Sequence, residues 1–281
     1  MTGTEYGVQS PHVPFPANRR RGTALCLSGG GYRAALFHLG ATRRLNELGA
    51  LTKIDTFTSV SGGSIFAAHL AAYAAHDPEA WAKRGEPLAG FDEHVAGPMS
   101  ELAQHNIRTR AVLTRLNPKH WGEPNAQIEA LTERLEETPV GTTRLAELPE
   151  RPRFLFCSSE MQFRTQWTAG GAGIGAEVQG RAKVGRWTIA RAAAASSCLP
   201  GVFAPMQIDD ALEDGTYAGS DRASLLRHLA LSDGGMFDNL GVEPVWQDHA
   251  SVLVSDAGPS FKPDPGVGKI WSQLRFAIIL L

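Results

Sequence analysis

Long uncharged apolar runs are missing from this chain of 281 residues, and no stretch is suited to span a bilayer. Residues 1–22 are polar and proline-bearing and lack the apolar centre of a secretory signal, so they read as a loosely draped tail. The expectation is a cytoplasmic protein that meets a membrane only at its surface. Excess charge is also missing: 27 Lys and Arg stand against 29 Asp and Glu. A net charge of −2 provides no broad basic field for nucleic acid. The compact basic run Arg19-Arg20-Arg21 reads as a solvated flank. Cysteine is scarce. Cys26, Cys157 and Cys198 are odd in number and have no CxxC spacing, which argues against a disulfide framework and a zinc site. They read as buried free thiols in a reducing compartment. No cofactor and no metal is expected, because no His, Cys and Asp cluster has ligand spacing.

What the chain does have is 43% hydrophobic residues, arranged as strands that alternate with helices. Thr23 to Leu27 and Thr56 to Val60 read as short buried strands. Tyr32 to Leu48 reads as an amphipathic helix stopped at Gly49, and Gly63 to Ala75 as a helix buried all round. From about 77 to 151 the chain becomes charged and proline-rich, which predicts a mainly helical insertion outside the sheet. Its stripe Ile128, Leu131 and Leu135 is expected to pack on the core. Sheet pattern resumes at Phe154 to Cys157, and Ser251 to Val254 is a last strand. Ala169 to Gly180 reads as a flexible glycine-rich loop. The run Phe276 to Leu281 ends without a helix stop signal, which suggests that the natural domain continues. The pattern predicts an α/β fold with a largely parallel central sheet covered on both faces.

Two strand-to-helix turns carry chemistry. Ser28-Gly29-Gly30-Gly31-Tyr32-Arg33-Ala34 bares backbone N–H groups at a helix start, where they can hold negative charge. Ser59-Val60-Ser61-Gly62-Gly63 is a degraded G-x-S-x-G elbow, with Ser59 in the first glycine slot and Gly63 in the second. A raised serine beside an anion cradle points to acyl transfer. No histidine sits in an obvious turn after a late strand. Asp233-Gly234-Gly235 instead offers a carboxylate at a turn where backbone can approach closely, able to act as base in a two-residue dyad.

These three segments, in this order, resemble the patatin-like phospholipases, and Ala190 to Phe203 is similar to that family's small-residue helix running into a proline turn. The resemblance covers about residues 23–258. It implies a three-layer α/β/α catalytic domain over 23–281 that includes the insertion. It also implies a lipid acyl hydrolase of phospholipase, lysophospholipase or esterase type. By resemblance Ser61 is the nucleophile and Asp233 the base, with the oxyanion hole at Gly29, Gly30, Gly31 and Arg33, the donors being the Gly30 and Gly31 N–H groups. Ser59, Gly63, Gly234 and Gly235 support the elbow and turn. The implied partner is a lipid or other acyl ester, approached at a membrane surface through exposed apolar side chains on the helical insertion.

Two other readings stay open. Gly29 to Ala34 also fits G-x-G-x-x-A, a dinucleotide fingerprint, with Asp55 at roughly the spacing of the ribose-binding acid although it precedes the second strand. A catalytically silent lipid-binding relative is the other.

Overall fold

A computed structural model describes residues 20–104, 123–210, 212–217 and 219–258. Most of the expected tail and the whole run 276–281 lie outside them. The chain opens with β1 (Thr23–Leu27), α1 (Gly31–Glu47), β2 (Thr56–Val60) and α2 (Gly62–His76). Both strands are largely buried, and both end in a glycine-bearing turn that starts a helix. Strands β3 (Arg153–Glu160) and β9 (Ser251–Ser255) complete a parallel block in the order β9-β1-β2-β3. Leu27 is in register with both Ser59 and Ser255, so the carboxyl ends of these strands form one rim. Ligands of open α/β sheets bind along such a rim.

The sheet continues beyond β3 in antiparallel fashion through β4 (Thr165–Gly170), β5 (Gly173–Ala176) and β6 (Gly180–Ala182). The segment expected to be a flexible loop is therefore a paired meander, and the correction has a steric cause. A Cβ on Gly170 would sit 2.5 Å from the Phe154 carbonyl oxygen, and one on Gly175 would sit 2.3 Å from that of Gly180. Glycine there lets strands close up rather than loosening them. A short ribbon of β7 (Met206–Gln207) and β8 (Ala230–Asp233) pairs antiparallel with the end of β3.

Helices flank the sheet. α2 is buried on every side and packs between α1 and α5 (Ile189–Ser196). Its run of alanines keeps those axes close. This layer joins Leu25, Leu27, Phe57, Phe154 and Phe156 in the main core, with Phe57 stacked on Phe154. On the opposite face Ala24 and Cys26 pack against Val242 and Val245. The described part of 77–151 is built from helical turns, α3 (Gly97–Ala103) and α4 (Ala126–Glu136), with no strand. Ile128, Leu131 and Leu135 are buried, and α4 lies against α5. No helix among the described residues is long and apolar enough to cross a membrane.

Candidate active site

The strand-to-helix turn after β2 holds Ser61 at φ 50° and ψ −117°, a conformation that a side chain rarely adopts. Such strain persists only where neighbours fix it. The neighbour is the glycine loop. A Cβ on Gly62 would lie 2.0 Å from the Gly31 carbonyl oxygen and 2.8 Å from its nitrogen, and a Cβ on Gly63 would lie 2.4 Å from the Leu27 oxygen. The glycine requirement thus falls just after the serine. Ser59 belongs to β2, fully enclosed, and accepts a 3.0 Å hydrogen bond from the Ser64 hydroxyl.

The loop itself needs glycine at two positions for its dihedrals, φ being 140° at Gly30 and 67° at Gly31. Gly31 begins α1, so its N–H is one of the helix's unsatisfied donors. Neither Gly30 nor Gly31 donates its N–H to any group among the described residues. The Gly29 N–H donates to the Asn239 carbonyl at 2.9 Å, so Gly29 braces the loop. Arg33 is exposed on the first turn of α1 with no ion-pair partner among the described residues. It adds positive field at the helix start without being held there.

Asp233 ends β8, 4% exposed, opposite Ser158 of β3. Its Oδ1 accepts the Gly235 N–H at 2.9 Å. Gly234 is pressed on β3, where a Cβ would be 2.2 Å from the Cys157 carbonyl oxygen, and its N–H donates to the Ser196 carbonyl at 3.2 Å.

Two features tie the serine and aspartate turns together, and neither was expected. The first is Ser196 at the end of α5. Its hydroxyl accepts the Ser61 N–H at 3.0 Å and donates to the Cys157 carbonyl at 2.5 Å. The next two residues extend the tie, Ser197 donating to the Ser61 carbonyl at 3.0 Å and Cys198 accepting the Asp233 N–H at 2.9 Å. The second is the Asn239 amide. Its Oδ1 would lie 2.2 Å from a Cβ on Gly29 and 2.6 Å from one on Gly235. Those same two points lie 3.4 Å from Ser61 Cβ and 3.1 Å from Asp233 Oδ1. Asn239 therefore sits between glycine loop, serine and aspartate. The sequence signal for it was only its place six residues after Asp233, and for Ser196 its place in the small-residue helix.

Four of the described histidines have partners away from Ser61 and Asp233. His69 contacts the Ile65 carbonyl, His76 contacts Thr143, and His249 contacts Thr56 and Val245. His38 contacts Ser28 and Ser255. Among the described residues no three His, Cys, Asp or Glu side chains group as a metal site.

The sequence matches the family described as patatin-like phospholipase over residues 25–246. The chain belongs to that family. In this patatin-like chain the matched span covers the glycine loop, both turns and the strands β2 and β3, and ends before β9. No curated protein matches it. Two solved structures resemble it at low similarity. VipD from Legionella pneumophila gives a TM-score of 0.39 at 15% identity, over 79% of this chain and 47% of that one. Human GIVD cytosolic phospholipase A2 gives 0.47 at 16%, over 82% and 41%. The chain spans less than half the length of either.

The dinucleotide reading meets an obstacle in patatin-like topology. Asp55 lies at the amino end of β2, where it accepts the Thr23 N–H at 2.8 Å and pairs with Arg84 at 3.0 Å. The glycine loop lies at the other end of the sheet, because β1 and β2 are parallel. Asp55 is consumed as a strand-end brace, with hydrogen bonds from Arg84 and Thr23 outweighing partial burial to hold its carboxyl below the usual range.

Proposed function

We propose that this chain hydrolyses carboxylic esters of lipids, with Ser61 as nucleophile, Asp233 as base and the N–H groups of Gly30 and Gly31 as oxyanion donors. The observation that carries the reading is the strained Ser61 at the amino end of the 15-residue α2, with its neighbour Gly62 pressed on the backbone of Gly31. The helix end favours negative charge developing beside it. Family membership supports lipid acyl hydrolysis in general.

In the first half-reaction the Asp233 carboxylate takes the Ser61 hydroxyl proton as Oγ bonds to the ester carbonyl carbon. The carbonyl oxygen becomes an oxyanion facing the Gly30 and Gly31 N–H groups. Collapse breaks the bond to the alcohol, which leaves with the proton from Asp233. In the second half-reaction water attacks the acyl-serine while Asp233 accepts its proton, and the acid is released as that proton returns to Ser61. Asn239 and Ser196 would hold the two turns at fixed separation throughout.

A lipid surface as the place of action draws support from the exposed apolar residues. Among the described residues none of the large ones lies on the helical insertion, where they were expected; Leu36 and Phe37 are on α1, Phe237 and Leu240 just after Asp233, and Leu48, Met161, Trp246, Leu253 and Val254 elsewhere. The segments holding Leu36, Phe37, Phe237 and Leu240 leave the site directly, so these four would lie near its entrance.

The test is turnover of p-nitrophenyl esters by wild type, Ser61→Ala, Asp233→Asn and the double variant. Each single change should remove at least about 10³-fold of kcat, and the double change should add little, since the pair acts as a unit. Turnover retained by Ser61→Ala would assign the chemistry to another group. Hydrolysis of soluble esters with none of vesicle lipid would reduce the proposal to a general esterase.

A further inference from the structure

His38 lies on α1 and is completely enclosed, yet both ring nitrogens have partners. Nε2 is 2.8 Å from the carbonyl oxygen of Ser28, and Nδ1 is 2.8 Å from the hydroxyl oxygen of Ser255. A carbonyl can only accept, so the proton is on Nε2, and Nδ1 of the neutral ring accepts from the Ser255 hydroxyl. Burial lowers the imidazole's proton affinity and favours this neutral form. Ser28 is the residue from which the glycine loop springs. Its N–H donates to the Ser255 carbonyl at 3.1 Å, and its hydroxyl accepts the Ala257 N–H at 2.8 Å. The Ala257 carbonyl lies 3.5 Å from where a Cβ on Gly30 would be. The Ser28 peptide is thus gripped by β9 from one side and by His38 from the other.

We propose that His38 is a positioning residue for the oxyanion loop: its Nε2–H fixes the Ser28 carbonyl and thereby the direction of the Gly30 and Gly31 N–H groups. This rests on the serine-ester reading above. A glycine loop has little stiffness of its own, and Gly30 and Gly31 occupy conformations that only an external brace selects. Ser255 completes the brace by setting the ring's tautomer, as an outer partner sets a metal-bound or catalytic histidine. His38 does not touch Ser61, so its effect would appear where charge develops on the substrate and not in ground-state binding.

The experiment compares wild type, His38→Gln, His38→Phe, Ser255→Ala and Ser61→Ala. Readouts are kcat and KM for p-nitrophenyl butyrate, the rate of serine modification by a fluorophosphonate, and Tm. His38→Phe keeps a ring but no donor, and should lower kcat and the phosphonylation rate about 10²-fold with KM within about threefold, the size of losing an oxyanion donor. His38→Gln can return an N–H to Ser28 and should recover about tenfold of that loss. Ser255→Ala frees the tautomer and should cost about three- to tenfold in kcat. A folded His38→Phe with near-wild-type kcat overturns the inference, as does a loss confined to KM. Should His38→Phe fail to fold, Ser255→Ala decides: wild-type kcat there overturns the inference, and the expected fall without a Tm change supports it. Full turnover by Ser61→Ala would fail the serine-ester reading itself, whereas an inactive Ser61→Ala beside an unaffected His38→Phe fails this inference alone.

Discussion

Replacing Gly62 by alanine adds a single methyl group to the molecule, at a point 2.0, 2.6 and 2.8 Å from three backbone atoms of Gly31. Ordinary contact begins at 3.4 Å, and backbone cannot rotate aside as a side chain can. The glycine loop must retreat by on the order of an ångström, and overpacking of this kind costs about 1–3 kcal/mol. In a chain of this size that corresponds to a Tm lower by roughly 2–10 °C. The catalytic effect should be larger, because the displaced atoms carry one proposed oxyanion donor: about 10²-fold in kcat, with KM little changed. Gly40→Ala is the matching control. It adds the same methyl group on the exposed side of α1, with nothing within 4 Å. Helix propensity and the entropy of the unfolded chain then make it stabilising by about 0.5–1 kcal/mol. Scanning calorimetry and initial rates on the two purified variants suffice. A Gly62→Ala protein matching wild type in both would mean that the elbow does not press on the glycine loop.

Burial pushes His69 down to about 4, while an unfolded histidine titrates near 6.5. Below 6.5 the unfolded chain binds a proton that the folded one refuses, so stability is lost as pH falls toward 4, by roughly 3 kcal/mol. Urea titrations at pH 7.5 and 4.5 should show this loss, shrinking in His69→Leu; an equal loss in both proteins would place the effect elsewhere. The buried thiols are pushed up too, Cys26 to about 11 and Cys198 to about 12, with Cys157 raised further by complete burial. A thiol-exchange reagent at pH 8 should leave the native protein unmodified and titrate all three after denaturation. Rapid native reaction would contradict the packing. Vesicle sedimentation should fall about tenfold when Phe37 and Phe237 both become serine, with little salt dependence at a net charge of −2. Binding unchanged by those substitutions but abolished by salt would point to a basic patch instead.

Where local rules were sufficient, the sequence was legible. β1 and β2 have the expected bounds, and α1 and α2 differ from expectation by a residue at their ends. Periodicity and stop signals act within a few residues, and there they agree. The glycine-rich stretch 169–180 failed because glycine has one local meaning, permissiveness, and another that depends on neighbours. At Gly170 and Gly175 the neighbour is a facing backbone that no local pattern reveals. The elbow around Ser59 depends on neighbours in the same way. The elbow's tolerance is decided by Gly31 and Leu27 approaching Gly62 and Gly63, not by the residue two places before the serine. For the candidate site, the identities of Ser61, Asp233 and the loop could be picked out by their order. The engagement of the Gly29 N–H by Asn239 and the Ser196 hydroxyl link could not, since both join segments far apart in the chain.

The Ser196 link has a further consequence for how such a chain can change over time. The spacing between the serine turn and the aspartate turn is gauged by a third element, the end of a helix whose inward residues are almost all alanine and serine. Helix α4 packs on that gauge from outside. Exchanges on the exposed face of α4 can therefore accumulate while the spacing of the two turns stays calibrated.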